Sequence, residues 1–221
     1  MTELILVRHG ETAWNAESRL QGHIDTPLND EGRRQARALA AMLVRGTGSI
    51  APAPFDRLVS SDLDRTFQTA RPIAALLDLE ITRDPQLRER CFGAFEGLLY
   101  DEVQQRYPDA WSRWQAREVD ARYPEGERQA ETLTEFAERV GKALADIAST
   151  HPGQRIIVVT HGGFLDCAYR LATGMSLTQA RNFDVRNASI NRFGWDEQGG
   201  LQLLEWGVVA HLATSIDEID R

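Results

Sequence analysis

The chain has 221 residues, 42% of them hydrophobic, enough for a substantial core in one large domain or two small ones. Its net charge of −8, from 25 basic and 33 acidic residues, argues against long-range attraction to nucleic acid or an anionic membrane. No apolar run approaches the roughly 18 residues of a membrane span, and the N-terminus lacks the basic-then-apolar order of a signal peptide, so a soluble, cytoplasmic protein is expected.

In chain order, Leu4 to Arg8 reads as a strand, Asn29 to Arg45 as a helix, Arg57 to Ser60 as a strand and Asp62 to Asp78 as a helix, followed by a short strand near Glu80 to Arg83. "GTGSIAPAPF", Gly46 to Phe55, reads as a surface loop, because the piece before it could not bury a core alone. Tyr100 to Thr150 is helical in composition and interrupted at Pro108 and at "YPEGE". Arg155 to Thr160 is the strongest strand; a helix from Phe164 to about Leu171 follows, with Gly174 as its C-cap. Ser189 to Trp195 and Leu201 to Trp206, joined by "DEQGG", read as an edge hairpin, and the acidic "TSIDEIDR" as an exposed tail. The pattern predicts an α/β fold with a largely parallel sheet, undivided by any linker or repeat.

Three strand-to-helix junctions stand out: "VRHGE", "SSDLDRT" and "VTHGG". In parallel α/β sheets, ligands sit at the carboxyl ends of strands, beside helix N-termini whose free N–H groups favour anions. These junctions therefore converge, in expectation, on one pocket holding Arg8, His9, Arg65 and His161. Arg65 falls in the first turn of its helix, where a cation opposes the macrodipole by roughly 0.3 to 1 kcal/mol, which suggests another use. A phosphoryl group spreads about two negative charges over oxygens that guanidinium groups bind bidentately. Histidine attacks phosphorus only when neutral, and cationic neighbours disfavour the imidazolium. His9 as nucleophile, Arg8 on the phosphate and Gly10 allowing close passage of the backbone past the ligand fit that chemistry. The cysteines offer no rival: a cysteine phosphatase needs an Arg six residues on, but Gly97 follows Cys91 there and Thr173 follows Cys167.

"LVRHGETAWN", "SSDLDRTFQTA", "LRERCFGAFEG" and "VVTHGG" resemble, in order, the motifs of the histidine phosphatase superfamily in its phosphoglycerate mutase-like branch. They run from Leu6 to Gly163, about three quarters of the chain. The resemblance implies a three-layer α/β/α sandwich on a mixed, mostly parallel sheet, one domain over residues 1–221 with a helical cap at about 100–128. It also implies a phosphohistidine at His9, with Arg8, Arg65 and His161 holding the transferring group. Glu11, Glu89 and Glu96 all remain candidates for proton transfer on residue type alone, and the family position selects Glu89. Asn15, Gln21, Gly22 and Gly162 match positions that contact substrate in relatives. No metal or cofactor is implied, and the partner is a small phosphomonoester; a homodimer stays open.

Within the family, a cofactor-dependent mutase is the alternative and would bring in 2,3-bisphosphoglycerate. Mutases carry Tyr where Phe92 stands, Lys where Tyr100 stands, and an Arg pair in a longer cap. Here Arg113, Arg117, Arg122 and Arg128 are dispersed and read as a solvated helical face, and the Gly-Glu-Ser usual in the phosphatase cap stands as Gly126, Glu127 and Arg128. Hydrolysis is therefore favoured. Two further readings are weaker. "DLDRT" fits the haloacid dehalogenase pattern, with Asp62 as nucleophile and Mg²⁺ on the phosphate, but it follows a short second strand, and Ser61 or Asp62 as helix cap with Asp64 on the helix's positive end explains it as well. A catalytically dead phospho-ligand binder is disfavoured because His9, Glu89 and His161 are all present.

Overall fold

The computed structural model describes residues 1–46, 50–52, 54–196, 198 and 200–217, with side chains described up to residue 213. Six strands, β1 (Thr2–Arg8), β2 (Arg57–Ser60), β3 (Ile81–Arg83), β4 (Arg155–Thr160), β5 (Ile190–Trp195) and β6 (Leu201–Val208), form one sheet in the order β3-β2-β4-β1-β5-β6. β3, β2, β4 and β1 run parallel, while β5 and β6 are antiparallel at one edge. The helices are α1 (Ala13–Ala16), α2 (Asp30–Arg45), α3 (Asp64–Leu77), α4 (Tyr100–Arg106), α5 (Pro108–Gln115), α6 (Leu133–Thr150), α7 (Gly162–Thr173) and α8 (Ala210–Asp217).

Side chains alternate across a strand, so one continuous apolar run fills two faces. Leu4 and Leu6 of β1 join Ile156 and Val158 of β4 under α6 and α7. Ile5 and Val7 join Ile157 and Val159 under α2 and α3. The result is the three-layer α/β/α sandwich on a mixed sheet that the motifs implied. A third cluster, with Phe95, Val103 and Tyr123 at its centre and Trp114 packed against it, lies outside the sandwich and holds α4 and α5.

Most element boundaries match the sequence expectation within two residues, and the exceptions have local causes. Asn29 caps α2, accepting from Gly32 N, and Pro108 starts α5, where its missing N–H costs nothing. Thr132 and Glu135 form the capping box of α6, so the helical middle resumes only at Leu133. α7 begins at Gly162, two residues before the expected start, and ends at Gly174 in the left-handed conformation, as expected for a C-cap. α3 has no side-chain cap: its N-cap is Leu63, against the expectation of Ser61 or Asp62. The expected C-terminal tail is helical through Asp217, and residues 218–221 lie outside the described residues. In the "GTGSIAPAPF" loop, residues 47–49 and 53 lie outside them too, as do 197 and 199 of "DEQGG"; Ile50 and Phe55 of the loop are buried. Among the described residues no helix is long and apolar enough to cross a membrane.

Ile157 is fully buried at the centre of the sheet. Ile157→Ala should lower unfolding free energy by about 2–5 kcal/mol with the fold retained, measurable as a shifted urea midpoint at unchanged slope.

Candidate active site

The sheet register builds the site. β1 and β4 pair in parallel with Arg8 opposite Thr160, and His9 N donates to Thr160 O at 3.0 Å, so the residues that leave the two strands, His9 and His161, emerge side by side. Their ring centroids are 5.3 Å apart. β2 lies on the other side of β4, with Ser61 N donating to Val159 O at 2.9 Å, which brings Ser61 Oγ to 2.9 Å from His161 Nε2. This is the other use of the expected helix cap. A cavity of about 400 Å³ opens at this edge, its wall including Arg8, His9, Arg65 and Glu89.

His9 is buried, with Nδ1 2.7 Å from Gly10 O. A carbonyl only accepts, so Nδ1 carries the proton and Nε2 keeps a lone pair. Burial, then the charges of Arg65 and Arg8, hold its pKa well below the ordinary 6.5. Burial and the Arg65 charge do the same to fully buried His161. Arg65 donates to Gly22 O at 2.8 Å and Ile24 O at 3.0 Å, and burial depresses its pKa to about 10. Arg8 Nη1 donates to Val185 O at 2.5 Å. Three buried nitrogens, Arg8 Nε, Arg65 Nε and His161 Nδ1, have no hydrogen-bond partner among the described residues.

Glu89 lines the cavity, accepting from Arg90 N at 2.8 Å and from Gly163 N at 2.9 Å. The two competing glutamates lie off the wall: Glu11 accepts from Asn29 Nδ2, and Glu96 from His23 N and Phe92 N. Asp62, the rival nucleophile, also lies off the wall in a two-point ion pair with Arg88, at 2.7 and 2.6 Å, which holds its pKa low. Both thiols are buried; burial pushes Cys91 up to about 11 and Cys167 higher still.

Asn15, Gln21, Gly22 and Gly162 all line the cavity. Thr12 N and Oγ1 engage Asn15 Oδ1, while Thr12 and Thr26 hydroxyls engage Gln21 Oε1, so the amide oxygens are occupied and both NH₂ groups remain as donors. Gly22 contributes backbone: its φ is +51°, and a Cβ there would meet Glu96 Oε1 at 2.0 Å. Gly10, expected to give the ligand room, instead gives room to α2, since its Cβ would meet Gly32 O at 2.6 Å.

Of the four middle-segment arginines, Arg113 pairs with Glu118 at the surface, Arg122 with Glu135, and Arg128 is exposed. Arg117 breaks the expected pattern. It lines the cavity at φ +52°, donates to Leu177 O at 2.7 Å and lies 3.6 Å from Asp166 of α7. Arg90, inside the "LRERCFGAFEG" motif but not singled out there, also lines the cavity, as does Arg181, which carried no signal in the sequence; the charge of Arg181 is felt at both Arg8 and Tyr100. The arrangement can bind a tetrahedral dianion against a neutral imidazole, with a carboxyl group beside it.

The chain belongs to the histidine phosphatase superfamily (branch 1), whose family model matches residues 4–208. It is 38% identical over 212 residues to phosphoglycerate mutase-like protein 4 of Arabidopsis thaliana, covering 95% of this chain and 86% of that one. To the metal-independent phosphoserine phosphatase of the same plant it is 37% identical over 216 residues, covering 97% and 84%. A solved phosphoserine phosphatase from Entamoeba histolytica, in complex with 3-phosphoglyceric acid, matches with a TM-score of 0.80 at 26% identity, covering 96% of this chain and 100% of that one.

Nitrogen-15 NMR on histidine-labelled protein should show His9 as the neutral Nδ1–H tautomer at pH 7, still neutral at pH 5.5, because its folded pKa lies well below 6.5. An imidazolium signal for His9 at pH 6 would contradict this electrostatic picture.

Proposed function

We propose that the chain is a phosphomonoester hydrolase acting on small phosphorylated metabolites through a phosphohistidine at His9. The observation that carries the reading is a buried His9 whose Nδ1 lies against Gly10 O, leaving Nε2 its lone pair, beside the guanidinium groups of buried Arg65 and half-buried Arg8, whose enclosed Nε atoms have no hydrogen-bond partner among the described residues. Nε2 attacks phosphorus as the ester P–O bond breaks, and Glu89 gives a proton to the leaving oxygen. Water then attacks the phosphohistidine, Glu89 takes its proton, and the P–N bond breaks to release phosphate and free His9. Arg8 and Arg65 hold the equatorial oxygens, and His161 joins them through Nδ1 when Ser61 O–H donates to its Nε2. Asn15 and Gln21 offer neutral donors to substrate, and Gly162 leaves room for the Arg8 guanidinium, whose Nε a Cβ there would meet at 3.3 Å. The charge that a metal ion would supply comes from the guanidinium groups, so the chemistry runs without one.

Residues 100–128 are read as a cap that selects the leaving group: Tyr100, Trp114, Arg117 and Tyr123 stand on the cavity wall. Arg117 and Arg181 also favour a second reading, a mutase needing extra cations to retain a doubly anionic phosphoglycerate. Phe92 and Tyr100, which replace the Tyr and Lys of such enzymes, keep hydrolysis in front.

His9→Ala should reduce turnover of phosphomonoesters by about three orders of magnitude or more, and rapid quench of the unaltered enzyme should trap a phosphoprotein labile in acid and stable in base. Near-normal activity in the variant would sink the assignment.

Incubation with 3-phosphoglycerate and catalytic 2,3-bisphosphoglycerate should release more inorganic phosphate than 2-phosphoglycerate. Rapid isomerisation with little free phosphate would establish the mutase reading instead.

A further inference from the structure

Glu89 stands on an irregular segment between the 3-10 turns Pro85–Leu87 and Gly93–Phe95. Main-chain carbonyl groups left out of regular helix and sheet bonding take their partners from elsewhere. Here they come from one side chain of α6. Arg139 Nη1 donates to Gln86 O at 2.7 Å and Arg88 O at 3.0 Å, and Nη2 donates to Glu89 O at 3.1 Å. Glu131 grips the same guanidinium, with Nε 2.7 Å from Oε1 and Nη2 2.8 Å from Oε2, and its Oε2 also accepts from Cys91 N at 2.9 Å. His23 Nε2 donates to Glu89 O at 2.8 Å from the other side.

We propose that Arg139, which is not part of the cavity wall, is a positioning residue for Glu89: it fixes the segment carrying the carboxyl by binding three of its main-chain carbonyls. The inference rests on the proposed proton-transfer role of Glu89. Only a planar guanidinium offers enough fixed donors to bind three carbonyls and a carboxylate together; the ammonium of Lys has three donors on one point. The Glu89 carboxyl itself is held by Arg90 N and Gly163 N, so its place depends on the distance between this segment and the start of α7. A displacement of about 1 Å, transmitted from outside the reacting centre, costs on the order of a hundredfold in rate when it falls on the proton-transfer group.

Leaving-group selectivity tests this. kcat/KM is measured for an alkyl phosphate, whose leaving oxygen needs a proton, and for p-nitrophenyl phosphate, whose oxygen departs with little protonation. The alkyl-to-aryl ratio cancels the active fraction, so partial unfolding does not mimic the effect. Arg139→Gln should lower the ratio by about tenfold or more, in the same direction as Glu89→Gln, with Arg139→Lys recovering part of it. Glu131→Gln loosens the same grip and should shift the ratio less; it carries the test if Arg139→Gln does not fold. A lowered ratio in Glu89→Gln beside an unchanged one in the folded Arg139 or Glu131 variants overturns the inference alone. An unchanged ratio in Glu89→Gln overturns the reading of Glu89 on which it rests.

Discussion

Arg65 is buried and Arg8 half-buried, with carbonyl oxygens, not carboxylates, as their hydrogen-bond acceptors, and Glu89 is the largest opposing charge that either experiences. Holding charge in the interior without a matched counter-ion costs several kcal/mol per ion, so the surroundings must be rigid enough to sustain it. Much of the local architecture serves that end. The Gly22 turn presents its carbonyl to Arg65 and is braced by Glu96, and the chain before β5 supplies Val185 O to Arg8. Burial, reinforced by the same charges, holds the pKa values of His9 and His161 well below the ordinary 6.5. On the proposed mechanism, anion affinity and a nucleophilic imidazole would thus be two results of one placement of charge, and loss of either guanidinium should weaken both together.

The alternation of strands and helices was legible because its signals are local, while the three-layer sandwich came from the family resemblance. Apolar runs set the strands, strand ends set the junctions, and the helical segments between strands made the sheet largely parallel; that β1 lies beside β4 came only with the structure. His9 and His161 could be brought together from that pattern because equivalent strand positions lie side by side in a parallel sheet. Asn15 and Gln21 came from family position, and their amide orientation could not be foreseen, since it depends on a buried Thr12 hydroxyl shared between them.

What escaped the sequence depends on contacts between distant segments. Arg117 reads as one more charge on a polar stretch; its left-handed backbone turns it toward Asp166 and Leu177, both far along the chain. Arg139 sits in a stretch read only as helical, yet it serves main-chain groups some fifty positions earlier. Gly10 carried the opposite error: small size was read as room for a ligand, when the neighbour is the first turn of α2. Residue type gave the chemistry in each case, and tertiary distance decided the recipient.

Cys167 occupies the cavity wall itself, and burial keeps it a thiol, as it does Cys91. Oxidants react with thiolates, so a phosphatase built on cysteine can be silenced by peroxide and restored by reductant. An imidazole acceptor, with both thiols protonated and buried, would lack that handle. The proposed chemistry would then resist the mild thiol oxidants that inactivate a cysteine phosphatase.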